Sequence, residues 1–357
     1  MGQLPVLGSI FYYIISFGVP SLICSKNIRN KVQKFALMSV LPLILATIRY
    51  NVGYDYGSYM EGYHNSFFIT YKSIFLNYKL GDPIGFDLVT KFATIFNSER
   101  IYLLILAALC LIPAIIYIIN QWDDTSIQPL ILFCYYFTSY IFSFSAIKQG
   151  IAISFLMCST TYIIKRKPIP FIILIGIACL FHSSALVFIF TYFLWSKEKM
   201  VSTWKKWGVV VGCFIIIVNL QSVLSNFLGG RYEAYAVDTV EGANKSFFLY
   251  MLWALIFLVF RKMLVSFDER NELFIMMMLI GALFQILGFY NAFTKRVGEY
   301  FVMAQIFLIP QMPYVVVENQ RKLVKVLICI YIVFIFVVST PMAESGMGFI
   351  PFSYKLY

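Results

Sequence analysis

Charge is what this sequence has least of. Only 13% of its 357 residues are Asp, Glu, Lys or Arg, against 61% hydrophobic, whereas a soluble domain is about a quarter charged. That balance excludes a soluble enzyme and predicts an all-α integral membrane protein. Histidine is scarcer still, with only His64 and His182. The seven cysteines lie in or beside apolar runs and form no C-x-x-C, so they read as packing residues and not as disulfides or metal ligands. No metal site of known spacing exists, and no cofactor motif is present. Internal repeats are missing too, which leaves an inverted-repeat transporter without support. The N-terminus has no charged leader region and no small-residue cleavage site, so the first apolar run is expected to stay as a span.

What is there is a series of apolar runs. A spanning helix needs about 20 mostly apolar residues. Runs of that kind cover 4–24, 35–48, 101–119, 129–144, 146–164, 168–195, 207–228, 246–260, 273–290, 297–317 and 323–340. Between them stand basic clusters: Lys26, Arg29, Lys31 and Lys34; Lys165 to Lys167; Arg261 and Lys262; Arg321, Lys322 and Lys325. The net charge of +11 therefore reads as cytoplasmic loops and not as a nucleic-acid surface. Segment 168–195 is long, with basic residues at both ends. Two short crossings turning near His182-Ser183-Ser184 keep both clusters inside, as a thin helical hairpin within the bundle. The expected fold is a polytopic helical bundle of about 11–12 transmembrane segments forming one domain. Its termini lie outside, and residues 50–100 form a long external loop. Within that loop Leu88, Phe92, Ile95 and Phe96 recur at helical spacing, which predicts a short amphipathic helix near 86–97 on the membrane surface.

In such a chain the polar clusters hold the functional information. The run Arg49-Tyr-Asn-Val-Gly-Tyr-Asp-Tyr-Gly-Ser-Tyr59 sets a cation, Arg49, and an anion, Asp55, among Tyr54, Tyr56 and Tyr59 where an apolar helix ends. Lys148 and Gln149, His182, Arg231, and Lys295-Arg296 with Glu299 and Tyr300 converge on the same external face. Each has a plain reading alone: snorkelling for Arg49 and Lys148, an i,i+3 pair for Arg296 and Glu299, a satisfied buried group for His182, a solvated arginine for Arg231, an interfacial belt for the tyrosines. Together they suit a lipid-pyrophosphate-linked sugar. Cations stabilise the departing pyrophosphate, a carboxylate or histidine positions or deprotonates an acceptor hydroxyl, and tyrosine faces meet sugar rings.

At these residues the chain resembles the EpsG family of Wzy-like polymerases. The Arg49–Tyr59 run is similar to its R-x-x-V-G-T-D-Y-x-x-Y signature, with Tyr54 where Thr is usual. Asp82-Pro-Ile-Gly-Phe86, Ala146-Ile-Lys-Gln-Gly-Ile-Ala152, Phe181-His-Ser-Ser-Ala-Leu186 and Thr294-Lys-Arg-Val-Gly-Glu-Tyr300 resemble later boxes in the same order. Lys148 stands where Arg is usual, which turns a bidentate grip into a point charge, and Asp82 replaces Glu.

The resemblance implies a metal-independent glycosyltransferase of C-type architecture in the bacterial inner membrane, active at its outer face. It would join repeat units carried on undecaprenyl pyrophosphate, for capsule, exopolysaccharide or O-antigen, beside a flippase and a chain-length regulator. Arg49, Arg296, Arg231 and Lys148 would bind pyrophosphate. Asp55 or His182 would act on the acceptor, and Tyr54, Tyr56 and Tyr59 would line the sugar path. A lipid-linked oligosaccharide flippase and an O-antigen ligase remain rival readings. The flippase would carry polar groups through the middle of its spans, and this chain keeps its spans nearly clean.

Overall fold

The computed structural model describes residues 1–24, 28, 30–122, 126–195, 208, 212, 244–288, 292–339 and 348–355. In chain order they form β1 (Gly2–Gln3), α1 (Val6–Cys24), α2 (Lys31–Ile48), α3 (Tyr56–Asn65), α4 (Tyr71–Leu76), α5 (Ile84–Ala93), α6 (Glu99–Gln121) and α7 (Gln128–Tyr135), which runs into a π-turn at Tyr136–Tyr140. Then come α8 (Ile147–Ile164), α9 (Pro168–Phe181), a 3-10 segment Ser183–Phe193, α10 (Asn244–Val259), α11 (Arg261–Phe267), α12 (Asn271–Leu287), α13 (Ala292–Val302), α14 (Gln305–Leu308), α15 (Arg321–Ser339) and β2 (Ser353–Tyr354). The protein is an all-α polytopic membrane protein. Among the described residues α1, α2, α6 and α8 are long and apolar enough to cross a membrane singly, and α10 with α11, bent by 72°, makes a fifth candidate.

Among the described residues several of the expected apolar runs are interrupted. The expected run 297–317 breaks between α13 and α14 at Met303-Ala304 and passes into a 3-10 turn at Ile309–Tyr314, where Pro310 and Pro313 supply no backbone donors. The run 129–144 leaves α-geometry at the π-turn, and 168–195 divides at His182 into 14 α-helical and 11 3-10 residues. Apart from residues 208 and 212, the expected span 207–228 lies outside the described residues, as does Arg231.

The bundle is oily on its outer face, and its apolar core is interspersed with buried polar groups. On α1 the exposed residues are Leu7, Phe11, Ile15 and Leu22, while Ser9, Tyr13, Ser16 and Ser21 are buried. On α15 the exposed stripe is Leu323, Val326, Leu327, Ile330 and Phe334. Lipid leaves no water for backbone groups, so an interrupted helix needs its carbonyls satisfied from a neighbour. Pro42 in α2 cannot donate to Met38, and the Tyr136 hydroxyl fills that carbonyl at 2.7 Å. Pro113 in α6 likewise leaves Leu109 open, and Ser154 of α8 donates to it at 3.0 Å.

Both chain termini sit at one end of the bundle. β1 pairs antiparallel with β2, Tyr50 N–H donates to Ser353 O at 2.9 Å, and Lys355 N–H to Ile48 O at 2.9 Å. The basic groups gather at the opposite end. There Lys31 Nζ donates to Asn120 Oδ1 at 3.1 Å, Lys325 Nζ to Ser126 O at 3.0 Å, and Arg270 Nη1 to Gln121 O at 2.8 Å. Arg166, beyond the end of α8, donates to Tyr192 O and Trp195 O at 2.7 and 2.8 Å. The chain thus leaves this end at α9, turns at His182 and comes back to it. α5 buries Phe86, Thr90 and Ala93 against the bundle and exposes Phe92, with Ile95 and Phe96 exposed in the turn that follows. It packs so closely on α9 that a Cβ at Gly85 would lie 2.9 Å from Leu180 Cβ.

Candidate functional site

At the terminus-bearing end the signature run leaves α2 through a tight turn. Asn51 has φ 53° and Gly53 φ 100°, and a Cβ at Gly53 would lie 2.2 Å from the Phe144 carbonyl oxygen. Only glycine allows both that conformation and that approach. The turn delivers Asp55 to the start of α3, where its side chain does not cap the helix. The carboxylate instead accepts from the Tyr59 hydroxyl and faces Arg296 and Lys148. Burial pushes its carboxyl above the ordinary aspartate range, and the Arg296 charge, the Tyr59 hydrogen bond and the Lys148 charge bring it partly back.

Tyr59 ties the site to α8. Its oxygen accepts from Ile147 N–H at 3.1 Å at the start of that helix, and its ring meets Phe86 at 5.5 Å. Lys148 Nζ stands 4.7 Å over the same Phe86 ring, a cation–π contact that aims the ammonium. Gln149 Nε2 donates to Arg296 O at 2.5 Å. Gln285 of α12 donates to Glu299 Oε1 at 2.8 Å and to Lys295 O at 3.3 Å. Two glutamines thus grip the segment of α13 that carries Lys295, Arg296, Glu299 and Tyr300. Glu299 has Lys295 as its neighbouring cation.

His182 sits at the turn between α9 and the 3-10 segment, half-buried. Its Nδ1 lies 2.7 Å from Ser184 Oγ and 2.8 Å from Tyr300 Oη, and those two oxygens are 3.0 Å apart. A bare Nδ1 would leave two hydroxyl protons for three short contacts. With the proton on Nδ1, the N–H is shared between both oxygens and one hydroxyl donates to the other, so every contact is attractive. Proton counting therefore assigns the Nδ1–H tautomer. Nε2 keeps its lone pair and is hydrogen-bonded to no described residue. Arg296 and Lys148 are the cations that His182 feels.

Asp55, Tyr59, Lys148, Gln149, His182, Arg296, Glu299 and Tyr300 are therefore brought to one end, linked through named contacts. Arg49, expected at the pyrophosphate, is turned into the bundle. It is 4% exposed, its Cζ lies 4.3 Å over the Phe144 ring, and it lines a cavity of about 10 Å³ with Cys110, Ser143 and Ile147. Its Nε and Nη1 have no hydrogen-bond partner. Tyr56 is buried as well, edge-on to Tyr50 at 6.0 Å, whereas Tyr54 is 48% exposed, its N–H donating to Ser145 Oγ at 3.1 Å. Arg231 lies outside the described residues. Sequence reasoning passed over Phe86, Ser184 and Gln285. The first two stand inside the short boxes quoted above. Gln285 is signalled only as a lone amide in an apolar helix, a position costly to occupy without a purpose. Among the described residues no group of three or more His, Cys, Asp or Glu could hold a metal ion.

Together these observations define a polytopic helical membrane protein with a cluster of cations, a carboxylate, a histidine and aromatic rings at one end of its bundle. The EpsG family model matches residues 34–354, nearly the whole chain. The protein belongs to the EpsG family, a Wzy-like polymerase family. No curated protein and no solved structure matches the chain.

Proposed function

We propose that this protein is an oligosaccharide repeat-unit polymerase working on undecaprenyl-pyrophosphate-linked glycans at the outer face of the bacterial inner membrane. The observation that carries the reading is the meeting of Asp55, Lys148, His182 and Arg296 at one end, opposite the end where Lys31, Arg166, Arg270 and Lys325 gather. By the positive-inside rule the basic end is cytoplasmic, which puts the cluster outside. Family membership supports a polymerase-like role.

In this reading Arg296 and Lys148 neutralise the pyrophosphate as it departs with the electron pair of the anomeric C–O bond. The acceptor hydroxyl of the incoming unit attacks that carbon, and His182 Nε2 takes its proton. Asp55, held by Tyr59, orients the acceptor. Tyr54 offers ring surface to sugars. Arg49 acts from beneath as a packed cation that shapes the turn. Products would be a chain longer by one repeat and free undecaprenyl pyrophosphate. A chain-length regulator and a flippase would work beside it.

The test is deletion of the gene in its host, followed by gel analysis of the surface polysaccharide. Loss of the ladder with single repeat units still reaching the surface supports a polymerase, and failure of Arg296→Ala to restore it puts that arginine in the site. Lipid-linked units trapped inside would mean a flippase and sink the outer-face mechanism.

A further inference from the structure

Between α3 and α5 the chain turns its apolar side chains outward. Phe68 is 89% exposed, and Phe75, Leu76 and Leu80 are exposed with it. α4, only six residues long, buries none of them. Isolated helices shorter than about 12 residues are marginal in water, and helices in proteins are held mostly by packing of an apolar face. Phe75 and Leu76 do not supply that packing from within the bundle. The segment is nonetheless fastened in place. Lys91 Nζ of α5 donates to Ser66 O at 3.0 Å, and the Tyr63 and Phe67 rings meet at 5.3 Å. Thr70 and Ser73 form a capping box at the start of α4, and Lys79 N–H donates to Asp82 Oδ2 at 2.9 Å. A fixed segment with a contiguous apolar face turned outward marks a protein or membrane contact.

The chemistry of the face selects between the two. From Ser66 to Leu80 the charged residues are Lys72 and Lys79, with no acid among them. Each lysine follows an exposed tyrosine, Tyr71 and Tyr78. Tyrosine and lysine beside phenylalanine and leucine make an interfacial set: rings at headgroup level, ammoniums on phosphate and apolar groups at the acyl boundary. The face also continues into the oily outside of the bundle. α4 packs on α5, and α5 lies on α9 with Gly85 against Leu180. Leu180 is itself exposed, at the end of a stripe that Ile169, Ile172 and Ile173 begin.

We propose that residues 66–80 are an interfacial foot seated in the leaflet at this end of the bundle. Phe68, Phe75, Leu76 and Leu80 enter the headgroup–acyl boundary, about 5–10 Å deep, and Lys72 and Lys79 contact anionic lipid phosphates. The foot does not depend on the polymerase reading. A second copy of the chain fits this face less well, because a two-fold contact would bring together two lysine-bearing faces without an acid to meet them. α3 runs directly from the turn that carries Asp55 into this segment, so the seated foot sets the height of that turn above the lipid.

The full-length protein, with its seven cysteines replaced by serine or alanine, would carry a nitroxide at Phe68→Cys, Leu76→Cys or Leu80→Cys in nanodiscs containing phosphatidylglycerol. At these positions collisions with dissolved oxygen should exceed those with a water-soluble nickel chelate several-fold. The order should reverse at Glu61→Cys, on the exposed side of α3. Lys72→Gln combined with Lys79→Gln should lower the oxygen-to-nickel ratio at Leu76→Cys in phosphatidylglycerol discs and leave it unchanged in phosphatidylcholine discs. If the cysteine-free protein fails to fold, the wild type in discs of phosphatidylglycerol with a diazirine on its acyl chain gives the second reading: the peptide 73–79 should be labelled. Free nickel access at all three positions, or an unlabelled 73–79 peptide, would place the face in water and overturn the proposal. Spin–spin broadening that dilution with unlabelled protein removes would place it against a second copy and overturn it equally. A ratio that the lysine variants leave unchanged in phosphatidylglycerol would remove the phosphate contacts.

Discussion

The Tyr300 hydroxyl lies 2.8 Å from Nδ1 of His182, although the two residues come from chain segments more than a hundred positions apart. The contact orients a ring whose Nε2 is left to act. Tyr300→Phe keeps the ring and deletes the hydroxyl, so the protein should be made and melt nearly as the wild type does. Its polymerisation rate should fall, because Nδ1 loses one of the two oxygens that hold its proton. His182→Gln removes the base itself and should cost roughly 10²–10⁴-fold. Rates of repeat-unit joining with purified protein and lipid-linked substrate check both. A wild-type rate in a folded His182→Gln protein would take histidine out of the chemistry. Tyr300→Phe should also move the pH–rate profile, which a purely structural hydroxyl would leave in place.

Asp55 allows a prediction in which stability and activity part. Burial raises its carboxyl above the ordinary range, offset in part by Arg296, Tyr59 and Lys148. A folded-state pKa above the unfolded value contributes stability that is fully present below the unfolded pKa and lost as pH rises through the folded one. At neutral pH the ionised carboxylate is therefore a net cost to folding, and Asp55→Asn should melt no lower than the wild type. Its polymerisation should fall nonetheless. In the wild type, activity should decline on acidification at a pH above about 3.9, the ordinary aspartate value, and that limb should vanish in the variant. Melting curves and a pH–rate profile read the two effects separately.

How far these relations were legible in the sequence depends on how local they are. The boxes around Arg49, Lys148, His182 and Arg296 stand out because ionisable residues are rare in apolar surroundings, so the polar end of the bundle can be anticipated from residue types alone. Direction is another matter. Nothing in the order of residues tells that Arg49 turns inward over Phe144 while Arg296 stays at the surface, because that is settled by the fit of the end of α2 against α6 and the turn that carries Ser143, Phe144 and Ile147. Hydropathy likewise marks 129–144 and 297–317 as apolar, yet is blind to a π-turn or to the break between α13 and α14. A run of apolar residues reports its solvent and not its backbone geometry.

Arg49 gives the next expectation. Its Nε and Nη1 are buried without partners, a cost that the cation–π contact with Phe144 offsets only in part, at about 2 kcal/mol when desolvated. Arg49→Met keeps the length and apolar stem without the charge, and replacing buried charge by apolar volume is often neutral or stabilising. The variant should therefore melt at or above the wild-type temperature. Its loss of polymerisation should be smaller than that of Arg296→Ala. A collapse of activity equal to that variant's, in a protein that melts normally, would return Arg49 to the pyrophosphate.

The C-terminal segment should behave as a strap over the signature turn. Phe352 is fully buried against Tyr12 and Tyr13, with ring centroids at 5.1 and 5.6 Å, and its N–H donates to Ser9 Oγ at 2.7 Å. Phe352→Ala should cost about 3–5 kcal/mol, as emptied aromatic sites do. Because Ser353 and Lys355 bond to Tyr50 and Ile48, the loss should also loosen the turn that carries Asp55. Hydrogen exchange should rise at Tyr50 and its neighbours before it rises in α8. Exchange that stays unchanged there would show that the turn holds itself.

Arg166 offers a test of topology that needs no enzyme assay. Its Nη1 reaches the carbonyls of Tyr192 and Trp195, and its Cζ stands 4.4 Å over the Tyr192 ring, so both ends of the His182 hairpin are held at the basic end of the bundle. Cysteines placed at Lys167 and Trp195, in a background where the native cysteines are replaced by serine or alanine, should react with a membrane-impermeant thiol reagent only after the cytoplasmic side is opened. A cysteine at Ser183 should react in intact cells. Arg166→Gln removes the stacked cation and should weaken the return of the second arm, seen as increased labelling at Trp195. If Lys167 and Trp195 label from opposite sides, the segment crosses the membrane once. His182 would then lie within a single span, away from the outer face where Asp55 and Arg296 are proposed to work.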